Sequence, residues 1–528
     1  MGRQAAAAAV LAGAIAAIFA WLGPPGRDLA AHAYQLNVFV DHGFALWDNF
    51  WYAGRYSFVT YSLVYYPLAA LLGIELLAVV SVAAAAVGFS LVAGREWGES
   101  ARLPTLAFAL VWPSIVFSAA FPFALGVASG LFALAALQRG LRWWFAALAA
   151  LTLAASPPAF LLLGVVLVAA VAGRRSLLRR NLLPTVALAA IVLAELVLHR
   201  LFPSSWHFPF PAGEFAVLCL FCVFGAMLTA GVARARILHA LFLVYLLAAA
   251  FVFIVPSGIG ENVARLRFAA IPLTLLAVSL RGWRPLAVSW IALVVAGTWN
   301  LSPLAATVVR NSPDPTSHAA FWQPVISFLR DNSSPSYRVE VVDTKGHWGA
   351  VYLPKAGVPL ARGWFRQDDF PFNRILYERF DPSAYREWLR WLGVRYVVLP
   401  NAPRDYSARR EELLLRSGRS GLVLVSRTPR VTIYELPHAS PIVTGPESAE
   451  VVALTQTRVR LRVGGRGIYR IAIRSSPYWH TSRGCMWAGQ DGTLRLGVRR
   501  AGPVELRFDV TRGDVLEMLA GMRESCAD

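Results

Sequence analysis

Lysine is almost missing from this sequence. Lys345 and Lys355 are the only two in 528 residues, a ratio to arginine that GC-rich coding produces without any functional cause. Cysteine is nearly as scarce. Of the four present, Cys219 and Cys222 form a C-x-x-C inside an apolar run with no histidine or carboxylate near in sequence, which fits small buried side chains better than a redox or metal site. That leaves Cys485 and Cys526 as the disulfide candidates, in a C-terminal region that would have to meet an oxidising compartment. Charge is thin too, at 15% of residues, and unevenly spread. Up to about Asn300 the chain is a series of Ala/Leu/Val-rich runs. Beyond Pro313 charges recur every few residues and no apolar run approaches membrane length. A chain that is 57% hydrophobic with a mean hydropathy of +0.51 is outside the soluble range, and its length exceeds one ordinary domain. One part therefore belongs in lipid and one in water.

The apolar runs fall at roughly 5–23, 62–93, 104–120, 122–137, 143–157, 158–172, 183–199, 213–231, 237–255, 267–280 and 285–303. They predict about eleven spans, several short enough to suit hairpins within a bundle. The run 62–93 reads as a short juxtamembrane helix, broken near Gly73-Ile74-Glu75, followed by a full span. Orientation follows from arginine. Arg3, Arg95 with Arg102, Arg139 with Arg142, Arg174-Arg175 with Arg179-Arg180, Arg234 with Arg236, and Arg281 with Arg284 fall at every second loop, which puts them and the N-terminus in the cytoplasm. With an odd number of spans, the chain after Leu301 lies outside, as do loops 24–61, 121–123, 200–212 and 256–266. Residues 5–23 lack a convincing small-residue cleavage site and read as the first span of a multi-pass plasma (inner) membrane protein. The net charge of +19 is then a matter of topology. Membrane lipids are the expected partner and nucleic acid is not.

Function is expected in the outer loops. The first spends about forty residues between spans, too aromatic to be disordered. Asp28 follows the first span directly and His32 stands one helical turn later on the same face. A carboxylate at the membrane surface beside a histidine can act as a general base. The competing reading is that Asp28 caps the helix beginning at Leu29. Asp48, next to Trp47, is either a second acid or a packed turn residue, and Trp47, Trp51, Tyr52, Tyr65 and Tyr66 resemble an interfacial aromatic belt.

These residues resemble a family. A carboxylate just past the first span, in a long outer loop with amphipathic helices, resembles the GT-C superfamily of polyprenyl-phosphate-sugar-dependent glycosyltransferases. More narrowly, Asp28 to Gln35, Leu46-Trp47-Asp48, Tyr52-Ala53-Gly54 and Tyr65-Tyr66-Pro67 are similar to YfhO-type bacterial membrane proteins and their actinobacterial relatives. Those relatives are often labelled 6-pyruvoyl-tetrahydropterin-synthase-related or transporters, labels that nothing in these residues supports. The likeness continues through Leu392-Gly393-Val394-Arg395-Tyr396-Val397-Val398, Val431-Thr432-Ile433-Tyr434-Glu435, Ile471 to Trp479, and Gly502 to Phe508. Two departures stand out. Pro477-Tyr478-Trp479-His480 lacks the family's glycine before tryptophan, and 105–250 offers only generic hydrophobicity.

The resemblance implies an inverting transfer of sugar from a polyprenyl-phosphate donor to an extracytoplasmic glycan or lipid acceptor. Asp28 would be the base and cationic groups would stabilise the departing phosphate. Arginine is disfavoured in outer loops, so Arg55, Arg265 and Arg267 need a reason to be there. The segment from Pro256 to Phe268 resembles the family's "GxNxxRL" signature, with Asn262 and Arg265 on one side of a turn. The guanidinium fork suits a phosphate, although either arginine could simply snorkel to headgroups. No metal site is assigned, and a divalent cation stays open because two dispersed carboxylates do not define one.

The expected architecture is therefore a polytopic α-helical membrane bundle of GT-C type over 1–305, carrying the outer loop 24–61. An extracytoplasmic mixed α/β region follows over 306–440, and 441–528 forms an antiparallel β-sandwich. Helices are expected near 316–330 and 382–392, and strands at 338–342, 394–399, 421–426 and 430–435. From 450 onward residues alternate at period two, with Arg458, Arg460 and Arg462 on a solvated strand face. Trp348, Arg362, Trp364, Gln367 and Asp368 have the ring-plus-polar composition that carbohydrate recognition uses, and packing explains them equally well. Two other function classes remain. A transporter or flippase of lipid-linked sugars predicts repeated halves and mid-membrane charge, for which only Glu195 is a candidate. A non-catalytic scaffold with a sugar-binding ectodomain is the other.

Overall fold

Small side chains dictate how the apolar helices pack. In lipid there is no hydrophobic drive between helices, so close approach of Ala and Gly faces carries association. The first helix, Gly2–Leu22, buries Ala5, Ala8, Ala12 and Ala16, spaced three and four apart on one stripe. It lies against Ile74–Trp97, where Gly13 faces Ala83. Gly88 meets Leu131, and Gly126 meets Ala159 and Ser156 so closely that an added Cβ would overlap them. These contacts come from a computed structural model that describes residues 2–174, 182–203, 207–309 and 314–521.

The expected apolar runs fall on helical segments, with 62–93, 104–120 and 267–280 divided between two apiece. Among the described residues, seven helices are long and apolar enough to cross a membrane, and Arg142–Ala155, Pro157–Gly173 and Leu286–Ser302 are shorter apolar helices. The break at Gly73 is present: its φ of +81° ends Tyr65–Leu72 and starts Ile74–Trp97, a conformation that glycine adopts without a Cβ penalty. Ser156, extended at φ −162°, separates Arg142–Ala155 from Pro157–Gly173, and its hydroxyl accepts the Ala159 N–H, an N-cap in front of prolines that need no donor partner. Trp112–Ser118 and Gly260–Ala269 are 3₁₀ rather than α. Cys219 is half-buried and Cys222 buried, both as free thiols.

The chain divides into two compact units. One comprises Met1–Leu29, Tyr61–Val197 and Trp206–Asn311; the other Ala30–Thr60, Leu198–Ser205 and Ser312–Asp528. The first outer loop, assigned with the membrane helices on sequence grounds, thus belongs from Ala30 to Thr60 with the second unit. The reason is its aromatic content. Trp47, Trp51 and Tyr52 are about 1% exposed, core residues rather than an interfacial belt. Trp47 stacks on Phe508 at 4.9 Å, and the Trp51 indole donates to the Ala350 carbonyl. A short hairpin, β1 (Trp47–Asp48) with β2 (Arg55–Tyr56), closes the loop. Tyr52 and Ala53, at φ 56° and 55°, precede Gly54 at +106°, and Gly54 packs on the Trp47 ring where no Cβ would fit.

The rest of the second unit follows its periodicity. Strands β3 (Arg338–Val341), β4 (Val394–Pro400), β5 (Val423–Arg427) and β6 (Val431–Glu435) form a sheet ordered β3-β4-β6-β5, with only β3 and β4 parallel. Ala319–Asn332 and Pro382–Leu392 are the two helices expected there. Tyr385, Leu389 and Leu392 from the latter pack with Val342, Val394 and Val397 into one core. Two four-stranded antiparallel sheets follow. β7 (Val443–Thr444), β10 (Gly467–Arg474), β13 (Thr493–Val498) and β12 (Cys485–Ala488) form one, in the order β12-β13-β10-β7. β8 (Ala449–Leu454), β9 (Arg458–Val463), β14 (Gly502–Phe508) and β11 (Trp479–Thr481) form the other, in the order β11-β14-β9-β8. On β9, Arg458, Arg460 and Arg462 are exposed while Val459, Leu461 and Val463 are buried, the solvated face that alternation predicts. Cys526, the proposed partner of Cys485, lies outside the described residues.

Candidate functional site

In the membrane unit, the first helix ends at Leu22 and the chain is then tied down by its own backbone. The Arg27 and Asp28 N–H groups donate to the carbonyls of Phe117 and Ser118, at 3.2 and 3.3 Å. Asp28 is half-buried and directly precedes the helix Leu29–His42. Its anchor, the 3₁₀ segment Trp112–Ser118, packs in turn on Gly260–Ala269, with Trp112 edge-on to Phe268 at 6.3 Å. Asp28 and the Asn262-x-x-Arg265 motif are therefore carried on segments that share a neighbour.

The two arginines of that motif differ. Arg267 lies 3.1 Å from Glu214 and 3.4 Å from Glu261, and Glu214 also accepts the Trp299 indole at 2.6 Å, so its charge is answered within the protein. Arg265 makes no ion pair among the described residues and sits over the Phe123 ring at 5.1 Å. Among the described residues it is the only charged side chain lining an apolar cavity of about 160 Å³. Along Phe121–Gln138 this cavity is bordered from Phe123 through Val127 and Leu131 to Leu134, a rise of roughly 16 Å at 1.5 Å per residue. Asn262 is buried beside it in sequence.

The candidates in the second unit are built into its interior. His32 is buried in the first turn of Leu29–His42. Asp48 is fully buried; Tyr34 donates to both its oxygens at 3.0 Å and the Phe50 N–H adds a third bond at 2.9 Å. Burial pushes its carboxyl up to about 6 against the pull of those bonds and of Arg55. Arg55 pairs with Asp368 at 2.7 Å and lies over Phe365 at 4.3 Å, and Arg474 approaches the other Asp368 oxygen at 3.8 Å. The structure thus brings together two residues assigned from sequence to different tasks, phosphate and sugar binding, as one buried pair.

Arg362 differs in the same way from its expected place on a binding surface. It is 2% exposed, gripping Asp369 through two hydrogen bonds of 3.0 and 2.6 Å and lying 2.8 Å from Asp343. Trp364 stacks on His347 at 3.4 Å and is covered by Arg366 at 4.7 Å. Trp348 stacks loosely on Tyr352, and Gln367 is half-buried. Around them gathers a charged cluster that periodicity does not reveal. His347 stands 3.3 Å from Asp343 and 3.6 Å from Asp405, and Arg366 holds Asp405 at 2.6 Å. Burial alone would lower the His347 pKa, but the charge and hydrogen bond of Asp343, then Asp405, raise it. Burial would likewise raise Asp405, yet His347 and Arg366 hold it well below the usual carboxylate range. Glu340 is pushed well up by burial and by Glu411, and Glu411 itself to about 7. The one sequence signal was Asp343 four residues before His347.

No protein-family model and no curated protein matches this sequence. Among solved structures, the chain aligns over 97% of its length with the mycobacterial arabinofuranosyltransferase AftD, at a TM-score of 0.50 and 14% identity. The likeness is one of fold, shared with that solved structure. The chain spans 57% of the AftD length. A second alignment, with the Archaeoglobus fulgidus oligosaccharyltransferase, covers 74% of this chain and 68% of that one at a TM-score of 0.37 and 14% identity, too distant to add to the argument. Within this fold, the membrane unit supplies a half-buried carboxylate, a guanidinium with no ion pair among the described residues, and an apolar cavity. The charged candidates of the second unit are paired with one another instead.

Proposed function

We propose that this protein is a membrane glycosyltransferase that moves a sugar from a polyprenyl-phosphate donor to a cell-envelope glycan or lipid acceptor. The observation that carries this reading is the apolar cavity with Arg265 as its single charged lining residue. A polyprenyl phosphate has the matching form, a long apolar chain ending in an anion, and an arginine cannot lose its charge on partial burial. Asp28 is the base. It takes the proton of an acceptor hydroxyl as that oxygen attacks the anomeric carbon; the bond from this carbon to the phosphate oxygen breaks with inversion, and the lipid phosphate departs toward Arg265.

The positive-inside pattern places the N-terminus in the cytoplasm and, with eleven spans, the second unit outside, where lipid-linked sugars meet envelope acceptors. In this reading the two antiparallel sheets close as a β-sandwich. Because the aligned solved structure is an arabinofuranosyltransferase, a polyprenyl-phosphate arabinofuranose is the first donor to assay.

Asp28→Asn tests the base directly, since asparagine keeps the shape and capping capacity but cannot accept the proton. Turnover should fall roughly a hundredfold or more, general-base catalysis being worth about 10²–10⁴, while donor affinity holds. Arg265→Lys should weaken donor binding instead, because a point charge replaces a two-pronged contact. Near-normal transfer by Asp28→Asn, in an assay where the wild type is active, would sink the base assignment.

A further inference from the structure

A cleft in the second unit answers to none of the roles above. It measures about 510 Å³, within the range of small-ligand sites, and lies where the end of the Leu29–His42 helix faces the turn between β8 and β9. Gly43, at φ +64°, ends the helix and reverses the chain. The reversal presents Phe44, whose ring meets Phe39 and Phe58 edge-on at 5.0 and 5.6 Å yet stays 50% exposed. It is a pinned aromatic platform with one side left open.

The opposite wall is held from behind. Asn49, fully buried, takes the Gln456 carbonyl with its N–H at 3.1 Å and the Thr455 carbonyl with its side-chain amide at 2.9 Å. Trp47 donates to the remaining Asn49 oxygen at 2.8 Å. With the backbone of the turn so fixed, the Gln456 amide, the Thr457 hydroxyl and the His42 imidazole line the cleft without a side-chain hydrogen bond among the described residues. The two ionic groups at the rim are answered already: Arg458 by Glu505 at 4.0 Å and Asp509 by Arg507 at 2.6 Å.

We infer that this cleft is a binding site for a neutral carbohydrate. An exposed ring accepts the apolar face of a sugar, and an amide, a hydroxyl and an imidazole offer donors and acceptors for its hydroxyls. An anionic ligand would find no unanswered cation, and a lipid chain would leave Gln456, Thr457 and His42 without partners. The inference concerns binding alone and does not need the transferase reading.

The test uses the full chain in detergent with no donor present, and reads saturation-transfer NMR against a panel of neutral pentose and hexose oligosaccharides, with a hexose phosphate as control. The wild type should bind at least one neutral member, Phe44→Ala should weaken it roughly tenfold, the loss of one aromatic contact, and Gln456→Leu should weaken it as well. Phe44→Trp, which keeps a platform, should retain binding, so that a merely structural role for Phe44 is told apart. Asp28→Asn should bind like the wild type even where transfer is lost. Absence of binding to every neutral member, preference for the hexose phosphate, or wild-type affinity in both Phe44→Ala and Gln456→Leu would overturn the inference.

Discussion

Replacing Arg362 by methionine separates a binding residue from an internal one. The side chain is 2% exposed and is the shared partner of Asp369 and Asp343. Methionine fills similar space but leaves two carboxylates buried with their main cation gone. Removing one partner of a buried pair costs about 3–5 kcal/mol, and for a unit of this size each kcal/mol is worth roughly 2–4 °C of melting temperature. Thermal unfolding of the full chain in detergent should therefore drop by about 6–20 °C. Acid should shrink the defect, because burial raises the Asp369 pKa and it is chiefly the Arg362 charge that holds it low, so without Arg362 that carboxylate protonates more readily. Asp369→Leu added to Arg362→Met should restore part of the loss, since a buried pair replaced by apolar groups is often near neutral. A melting temperature within experimental scatter of the wild type, combined with weakened sugar binding, would refute this reasoning and return Arg362 to a binding surface.

Three further outcomes are expected. The raised pKa of His347 means that the folded state holds its proton more tightly than the unfolded chain; its stabilisation is complete below about 6.5 and is lost as pH rises through the folded value. His347→Gln should therefore flatten the decline in melting temperature as pH rises above about 6.5, and an unchanged slope would remove the assignment. Gly363 packs on the Trp51 ring where a Cβ would overlap it, so Gly363→Ala should cost about 1–3 kcal/mol through overpacking, read as a lower melting temperature; a neutral result would mean that the loop yields. A reporter fused after residue 305 should be active outside and one fused after Arg180 active in the cytoplasm, and the reverse at both would end the topology.

The division into lipid and water parts was legible without a structure because it depends on composition, and the helices, the break at Gly73 and the exposed arginines of β9 because each depends on local periodicity. A window of a few residues contains all the information those features need. What only the tertiary structure decided are pairings across the chain. Asn49 holds a turn 406 residues away, and Arg55 finds Asp368 across 313. Nothing local announces that Trp47 and Trp51 are core rather than belt, since an aromatic residue suits both settings and the choice rests on which distant surface covers it. The same holds for Arg362 and Asp368. A Trp/Arg/Asp-rich loop has one composition whether it meets a sugar or satisfies its own charges, and burial in a low-dielectric interior, where unpaired charge is most costly, decided for the second.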